Sequence, residues 1–456
     1  MRLSLLYSDK LFPSRLLKTF GLLLVVLLSC GKQAFSQSEK EQVQLYIDNL
    51  FEITQIMVSD VTAPTGAARF YAYSTLGAYM ALDKPVKLPN NFTGSFRVPL
   101  IIDRPGKVDI KADFAALYCM LRIGEAIMPS GKRLEAAKGR LMERYRVNRW
   151  MSKKEMVASI SYAEQIADQV IAYSKTDGYS QLSALPRYSP SEQVGTWYPT
   201  PPAYLGAIDP EWRTIRPFFL RDLSQFKPIP PAPFDMDSTS SFYTQMMEVH
   251  SVSKKLTSEQ RLIANFWDCN PFMVSYSGHM AIGLKKISPG GHWVSITGIA
   301  ALKAGFSLAQ TLEAHALVST GLHDAFISCW EEKYDSDRIR PETAINKYID
   351  NQWRPILQTP PFPEYTSGHS VISRTSAVLL TWYFDQTISY TDSSEEYFGL
   401  PARKFKSFLQ ASDEAAISRL YGGIHFRDAI EEGVRQGAKI GEFIIGHVDS
   451  KSLSNN

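Results

Sequence analysis

Residues 359–384 read Thr359-Pro-Pro-Phe-Pro-Glu-Tyr-Thr-Ser-Gly-His-Ser-Val371 and continue as an apolar run to Phe384. The prolines hold an extended entry, because each fixes φ and lacks an N–H. The apolar run then reads as a buried helix. Ser367-Gly368-His369 therefore sits at a helix N-terminus, where free N–H groups and the helix dipole favour an anion. Gly368 lets an oxyanion approach the backbone closely. Ser367 either donates its hydroxyl or caps the helix, as Thr366 can, and His369 stands beside the bound anion. The same tripeptide recurs as Ser277-Gly278-His279 without a proline-rich entry or a basic pair, so those three residues alone say little.

Two further motifs flank this one. Upstream, Trp330-Glu-Glu-Lys-Tyr-Asp-Ser-Asp-Arg-Ile-Arg-Pro341 places Lys333 and Arg340 seven residues apart. On a helix they share a face two turns apart and can grip opposite sides of one ligand, especially if the helix loosens near Pro341. Arginine binds oxyanions bidentately and lysine acts as a movable point charge. The competing reading is a solvated helix end, given Glu331, Glu332, Asp335 and Asp337. Downstream, Arg419-Leu-Tyr-Gly-Gly-Ile-His-Phe-Arg-Asp428 separates Arg419 from His425 by a diglycine break. Arg419 then ends one helix and His425 opens the next. Asp428 either holds an imidazole or favours a helix N-terminus electrostatically. The ordered trio supplies three cations, a hydroxyl, a backbone amide nest and two imidazoles, an inventory suited to one tetrahedral oxyanion.

The three motifs resemble those shared by vanadium-dependent haloperoxidases and type 2 phosphatidic acid phosphatases, including soluble bacterial acid phosphatases. The flanks are closer to the haloperoxidases: Trp330 before the lysine, Phe362-Pro-Glu-Tyr-Thr before the serine, and His425-Phe-Arg after the glycines. Phe362 resembles in position a phenylalanine of chloride-oxidising members. Two departures stand out. Thr366 replaces the usual proline, and Asp428 lies three residues after the histidine where the common pattern has an aspartate at four, here Ala429. The partner of His425 is therefore left open, with Asp268 a speculative substitute.

The resemblance implies an all-α chain of two helical bundles with the active site in the C-terminal one. It implies that Lys333, Arg340, Ser367, Gly368 and Arg419 surround the oxygens of vanadate or phosphate. His425 would be the vanadium ligand, and His369 the general acid/base at the apical oxygen. Trp330, Phe362 and Asp428 would support the pocket. The reaction would be oxidation of halide by hydrogen peroxide, passed on to a small organic acceptor. One alternative is a soluble phosphatase that turns over a phosphate ester through a phosphohistidine on His425, with no metal cofactor. Another is a non-catalytic anion-binding lipoprotein that keeps the cage.

The rest of the chain sets the context. It has 456 residues, 45% hydrophobic and 21% charged, enough for one large or two ordinary domains. A net charge of +3 and a pI near 8.4 are too mild to argue for nucleic acid. Arg2, Arg15 and Lys18 precede a short apolar run, Gly21 to Leu28, so residues 1–36 read as an export signal. Cleavage either follows Ser36, releasing a periplasmic protein, or uses the lipobox-like Leu27-Leu-Ser-Cys30, anchoring a lipid at Cys30. Cys119, Cys269 and Cys329 are too scattered for a disulfide framework or a zinc site and read as buried apolar residues.

Apolar spacings of three and four predict helices over Glu39 to Val61, Ala67 to Leu82, Ala112 to Met128, Arg133 to Tyr145 and Lys153 to Tyr173. These make an N-terminal bundle over 37–185. Eleven prolines between Pro186 and Pro233 mark an ordered crossover over 186–235. Thr257-Ser-Glu-Gln260 is a capping box. The catalytic domain spans 236–456, with helices over His292 to Gly305, Leu308 to Glu332, Ser370 to Phe384, Ala402 to Tyr421 and Asp428 to His447. His279 and His292 either line the pocket entrance or merely follow turns, and His323 reads as structural.

Overall fold

The computed structural model describes residues 39–82, 85–106, 109–277, 280–283 and 286–449. The export signal, Cys30 and His279 lie outside that range. The chain is all-α, as its spacing predicts. Helix α1 covers 39–59, followed by α2 (Pro64–Met80), α3 (Ala112–Ile127), α4 (Leu134–Val147) and α5 (Lys153–Ser174). After the crossover come α6 (Ser241–Lys254), α7 (Ser258–Phe266), α8 (Pro289–Ala304), α9 (Leu308–Ser336), α10 (Pro341–Tyr348), α11 (Gly368–Phe384), α12 (Phe408–Tyr421) and α13 (Arg427–Val448). The capping box at Thr257 forms: its hydroxyl accepts from Gln260 N, and the Gln260 side chain answers at Thr257 N.

α9 joins the two bundles. It is buried on nearly every face, polar residues included, and packs on α2 in the first bundle and on α8, α11 and α13 in the second. One continuous apolar core therefore runs from Val43 to Val448. α11 lies against α13, where Gly433, Gly437 and Gly441 recur every fourth residue. A Cβ on Gly433 would stand 2.8 Å from Ser370 Cβ and 2.9 Å from the Ser367 carbonyl oxygen. The stripe lets α13 come up against the first turn of α11, which fixes the height of the Ser-Gly-His motif.

The crossover is ordered and contributes buried Trp197, Trp212, Phe218 and Phe219. Asp324 on α9 accepts the backbone N–H groups of Phe218, Phe219 and Leu220 at 2.7, 2.7 and 3.0 Å. Trp197 N also donates to the Asp337 carbonyl at 2.9 Å, and Ile339 N to the Gly195 carbonyl at 2.9 Å. Those bonds draw the chain out of the helix before Arg340.

Two expectations needed correction. Lys333 and Arg340 do not share a helix face: α9 stops at Ser336, Asp337 is left-handed (φ 45°), and Arg340 is the extended N-cap of α10. The predicted helix from Ala402 begins at Phe408, where Ser407 accepts from Gln410 N. Arg403–Phe405 is instead a strand, β4, paired antiparallel with β3 (Tyr390–Asp392), because Phe405 turns into the core while Lys404 faces out. β1 (Val274–Ser277) and β2 (Met280–Gly283) form a second hairpin, so Ser277 opens no helix.

Candidate active site

The start of α11, the end of α12 and the approach to α13 converge on a cavity of about 40 Å³, room on the scale of a few water molecules. The walls include Trp330, Phe362, Gly368, His369, Arg419 and His425, and α2 of the first bundle reaches it through Pro64. Ser367 is the N-cap of α11, accepting from Ser370 N, so Gly368 and His369 occupy the helix's first turn, with N–H groups that no helical carbonyl can satisfy. A Cβ on Gly368 would meet nothing closer than Trp330 Cζ3 at 3.7 Å. Protein packing does not demand glycine there; the open face belongs to whatever fills the cavity.

His425 stands at the centre of the cage, between α12 and α13. Its Nδ1 lies 2.8 Å from Glu364 Oε1, and Arg340 Nη1 donates to its Nε2 at 3.1 Å. A guanidinium can only donate, so Nε2 is the bare nitrogen and Nδ1–H points at the carboxylate. Burial pushes the imidazole well below its usual pKa, helped by Arg340, Lys333, Arg419 and Arg338. His425 is therefore a neutral ring offering a lone pair among cations.

Glu364, not Asp428 or Asp268, is the partner of His425. The Glu364 carboxylate also accepts Phe426 N at 2.9 Å and Arg338 Nη1 at 3.2 Å. Asp428 acts one step away, holding Arg338 at 2.6 Å, while Asp268 pairs with Lys286 at 2.6 Å. The signal was present in Phe362-Pro-Glu-Tyr-Thr366, as a carboxylate inside an otherwise apolar entry. Its pairing depends on a turn that sequence spacing does not encode. Arg338, the link between the two acids, was missed altogether.

The cations are buried and differently employed. Arg340 donates to the carbonyls of Phe362 (2.9 Å), Pro363 (3.2 Å) and Ile424 (2.9 Å) as well as to His425, and burial pushes its pKa down to about 10. Lys333 Nζ donates to the carbonyls of Pro363, Glu364 and Thr366 at 3.0, 3.0 and 2.6 Å, which uses all three of its protons. As placed it supplies charge to the cage rather than a free donor, and burial pushes its pKa down to about 7. Arg419, in the last turn of α12, donates Nε to Ser418 Oγ at 2.9 Å and Nη2 to the Trp267 carbonyl at 2.6 Å. Phe362 lies under Lys333 and Arg340 at 5.2 and 5.1 Å and against Trp330 at 4.9 Å.

Two buried polar atoms bordering the cavity have no protein partner, His369 Nε2 and Asn270 Nδ2. A group bound in the cavity would supply the partner that each of these two atoms lacks. Burial, Arg419 and His425 hold His369 well below its usual pKa, so it too is neutral. Together with the bare His425 nitrogen and the open Gly368 face, they fit a bound tetrahedral oxyanion such as vanadate. His323 Nε2 meets the Arg216 carbonyl at 3.2 Å while its buried Nδ1 has no partner, and burial pushes its pKa down to about 4. His292 lies in the first turns of α8, fully buried.

An all-α fold that gathers two neutral histidines among buried cations is suited to holding an oxyanion. The family model for the VCPO second helical-bundle domain matches residues 313–452. A solved bacterial vanadium-dependent iodoperoxidase is 41% identical, with a TM-score of 0.81 over 90% of this chain and 96% of that one. Holo and apo bacterial vanadium-dependent chloroperoxidases share the fold at 17% and 16% identity, with TM-scores of 0.64 and 0.60. Each covers 86% of this chain, and 93% and 95% of the respective chloroperoxidase. No curated protein sequence matches the chain. The chain belongs to the vanadium-dependent haloperoxidases. Vanadate is accordingly its cofactor and haloperoxidase chemistry its class of reaction.

Proposed function

We propose that this haloperoxidase uses hydrogen peroxide to oxidise iodide at a vanadate held by the cage described above. The observation that carries the reading is His425, a neutral imidazole with Nδ1–H fixed on Glu364 and a bare Nε2 among four buried cations. In this reading His425 Nε2 would hold the vanadium with the lone pair that now accepts from Arg340 Nη1. Arg340, Arg419, Ser367 and the Gly368 amide hold the vanadate oxygens, and Lys333 adds charge from behind the carbonyls it bonds. Bound there, vanadate supplies a Lewis-acidic centre that activates peroxide toward halide without changing oxidation state. His369 Nε2 would take and return the proton that moves during turnover, and its lowered pKa keeps the ring unprotonated near neutral pH. Trp330 and Phe362 keep bulk water away from the oxidant.

Iodide is favoured by the 41% identical iodoperoxidase, in place of the chloride-capable chemistry that Phe362 alone suggested. The oxidised halogen would pass to a small organic acceptor. The protein would be exported by its N-terminal signal, either to the periplasm or lipid-anchored at Cys30.

The test is peroxide-dependent oxidation of iodide, bromide and chloride by the purified chain, with and without orthovanadate, alongside p-nitrophenyl phosphate hydrolysis. Vanadate-dependent iodide oxidation that disappears in His425→Ala supports the proposal. Phosphate release that vanadate inhibits, without halide oxidation, overturns it in favour of the phosphohistidine route. Tight oxyanion binding with no turnover of either substrate also overturns it.

A further inference from the structure

Beside the oxyanion cage lies a second cluster that halide oxidation does not use. Cys269 follows α7, His292 sits in α8, and Glu395 follows β3, so three separate elements bring them together. Cys269 Sγ is 3.4 Å from His292 Nδ1 and 4.0 Å from Glu395 Oε1, and Glu395 Oε1 is 3.3 Å from the same nitrogen. All three side chains are buried. We propose that Cys269 Sγ, His292 Nδ1 and Glu395 Oε1 form a binding site for a divalent cation of the zinc class.

The geometry is what that ion requires. Zinc bonds of about 2.0–2.3 Å to nitrogen, oxygen and sulfur in a tetrahedron put neighbouring ligand atoms about 3.3–3.8 Å apart. Two of the three observed edges lie in that range and the third is a few tenths longer, within the adjustment a side chain makes on binding.

A second feature points the same way. His292 Nε2 lies 2.8 Å from Asp392 Oδ2, and Asp392 is itself held by Ser394 N and Oγ at 3.0 and 2.6 Å. A carboxylate on the far nitrogen holds Nε2–H on Asp392 and turns Nδ1 toward Cys269 and Glu395, the direction from which it ligates once its proton has left. That carboxylate–histidine couple is the usual support behind a metal-bound imidazole. Trp267 stacks on the ring at 4.5 Å with an interplanar angle of 21°, which stops it from swinging.

Charge supports a cation as well. Two buried carboxylates and a thiol meet at one imidazole, so a bound divalent ion takes over from the ring's proton as the positive charge opposite them. Binding displaces the protons of Cys269 Sγ and His292 Nδ1 to solvent, because a thiolate and a neutral imidazole are the ligands. Soft sulfur with nitrogen and one carboxylate selects zinc over calcium or magnesium, which take oxygen ligands. No fourth protein ligand joins the three among the described residues, so a water molecule completes the tetrahedron. Cys269 also lines the oxyanion cavity. The cation would thus tie down the α7–β1 link next to the cage and mask a thiol beside the place where oxidant forms.

The experiment uses the full chain purified without chelator, incubated with excess zinc, desalted, and assayed by elemental analysis. About one zinc per chain is expected, absent from Cys269→Ser and Glu395→Gln but retained in His425→Ala. Far-ultraviolet circular dichroism and orthovanadate binding of the two variants show whether they fold. Cobalt in place of zinc should give a thiolate-to-metal charge-transfer band that Cys269→Ser lacks. Zinc content in the wild type no higher than in folded Cys269→Ser would overturn the site, as would cobalt binding without the thiolate band. Either failure leaves vanadate-dependent iodide oxidation untouched, so the two proposals fail separately.

Discussion

His425 and His292 are the same side chain in opposite electrical surroundings. Each is buried, and each has one ring nitrogen held 2.8 Å from a carboxylate, Glu364 for His425 and Asp392 for His292. Around His425 stand Lys333, Arg338, Arg340 and Arg419, and its pKa falls well below the usual value. Around His292 stand Asp392, Glu395 and Cys269. Burial alone would depress that histidine too, but Asp392 and Cys269 hold it well above the usual value. A carboxylate-oriented imidazole is a general-purpose ligand. The charges beyond it decide whether the neighbouring space takes an oxyanion or a bare cation.

The largest test breaks the first half of that comparison. His425→Ala removes the lone pair at the centre of the cage. Vanadate-dependent iodide oxidation should fall at least about a hundredfold, the scale of losing one preorganised group at a reacting centre. Equilibrium dialysis should show weakened vanadate retention with zinc retention unchanged.

Next comes the pair of supporting acids. Glu364→Gln should weaken vanadate binding about 10- to 100-fold, and Asp392→Asn should do the same to zinc, the scale for a lost carboxylate behind a ligating histidine. Each should leave the other site alone. If Glu364→Gln lowered zinc content as much as vanadate affinity, the two sites would be one cooperative unit and the contrast would collapse.

A smaller effect concerns pH. Burial pushes Lys333 down to about 7, so its ammonium fills below that pH and empties above it. Affinity for tungstate, an oxyanion whose charge stays constant over this range, should drop severalfold as pH rises from about 6 to 8, following the lost cage charge. Lys333→Arg, always charged, should flatten the profile. The smallest effect is expected at Asp428, which touches Arg338 and not the imidazole. Asp428→Asn should change vanadate affinity by no more than about threefold, since only the positioning of Arg338 is disturbed. A loss as large as that of Glu364→Gln would restore Asp428 as the direct partner.

Much of the fold was legible because helices announce themselves locally. The three- and four-residue spacings placed α3 and α5 within a residue or so, the apolar run after the prolines placed α11, and the capping box placed α7. The candidate cage residues Lys333, Arg340, Ser367, Gly368, His369, Arg419 and His425 were also marked by motif. Their mutual geometry was not. Seven-residue spacing suggested one helix for Lys333 and Arg340, but backbone bonds to Gly195 and Trp197, more than a hundred positions upstream, end that helix first.

What the sequence determined by itself was therefore the set of elements and the inventory of the cage, because periodicity, caps and residue chemistry are local properties. Tertiary structure alone decided that Glu364 and not Asp428 holds His425, that Lys333 spends its protons on three carbonyls, and that Cys269, His292 and Glu395 meet. The physical reason is the same in each case. A buried charge or lone pair is satisfied by whatever group packing brings within about 3 Å. In a core shared by two bundles, that group comes from elsewhere in the chain.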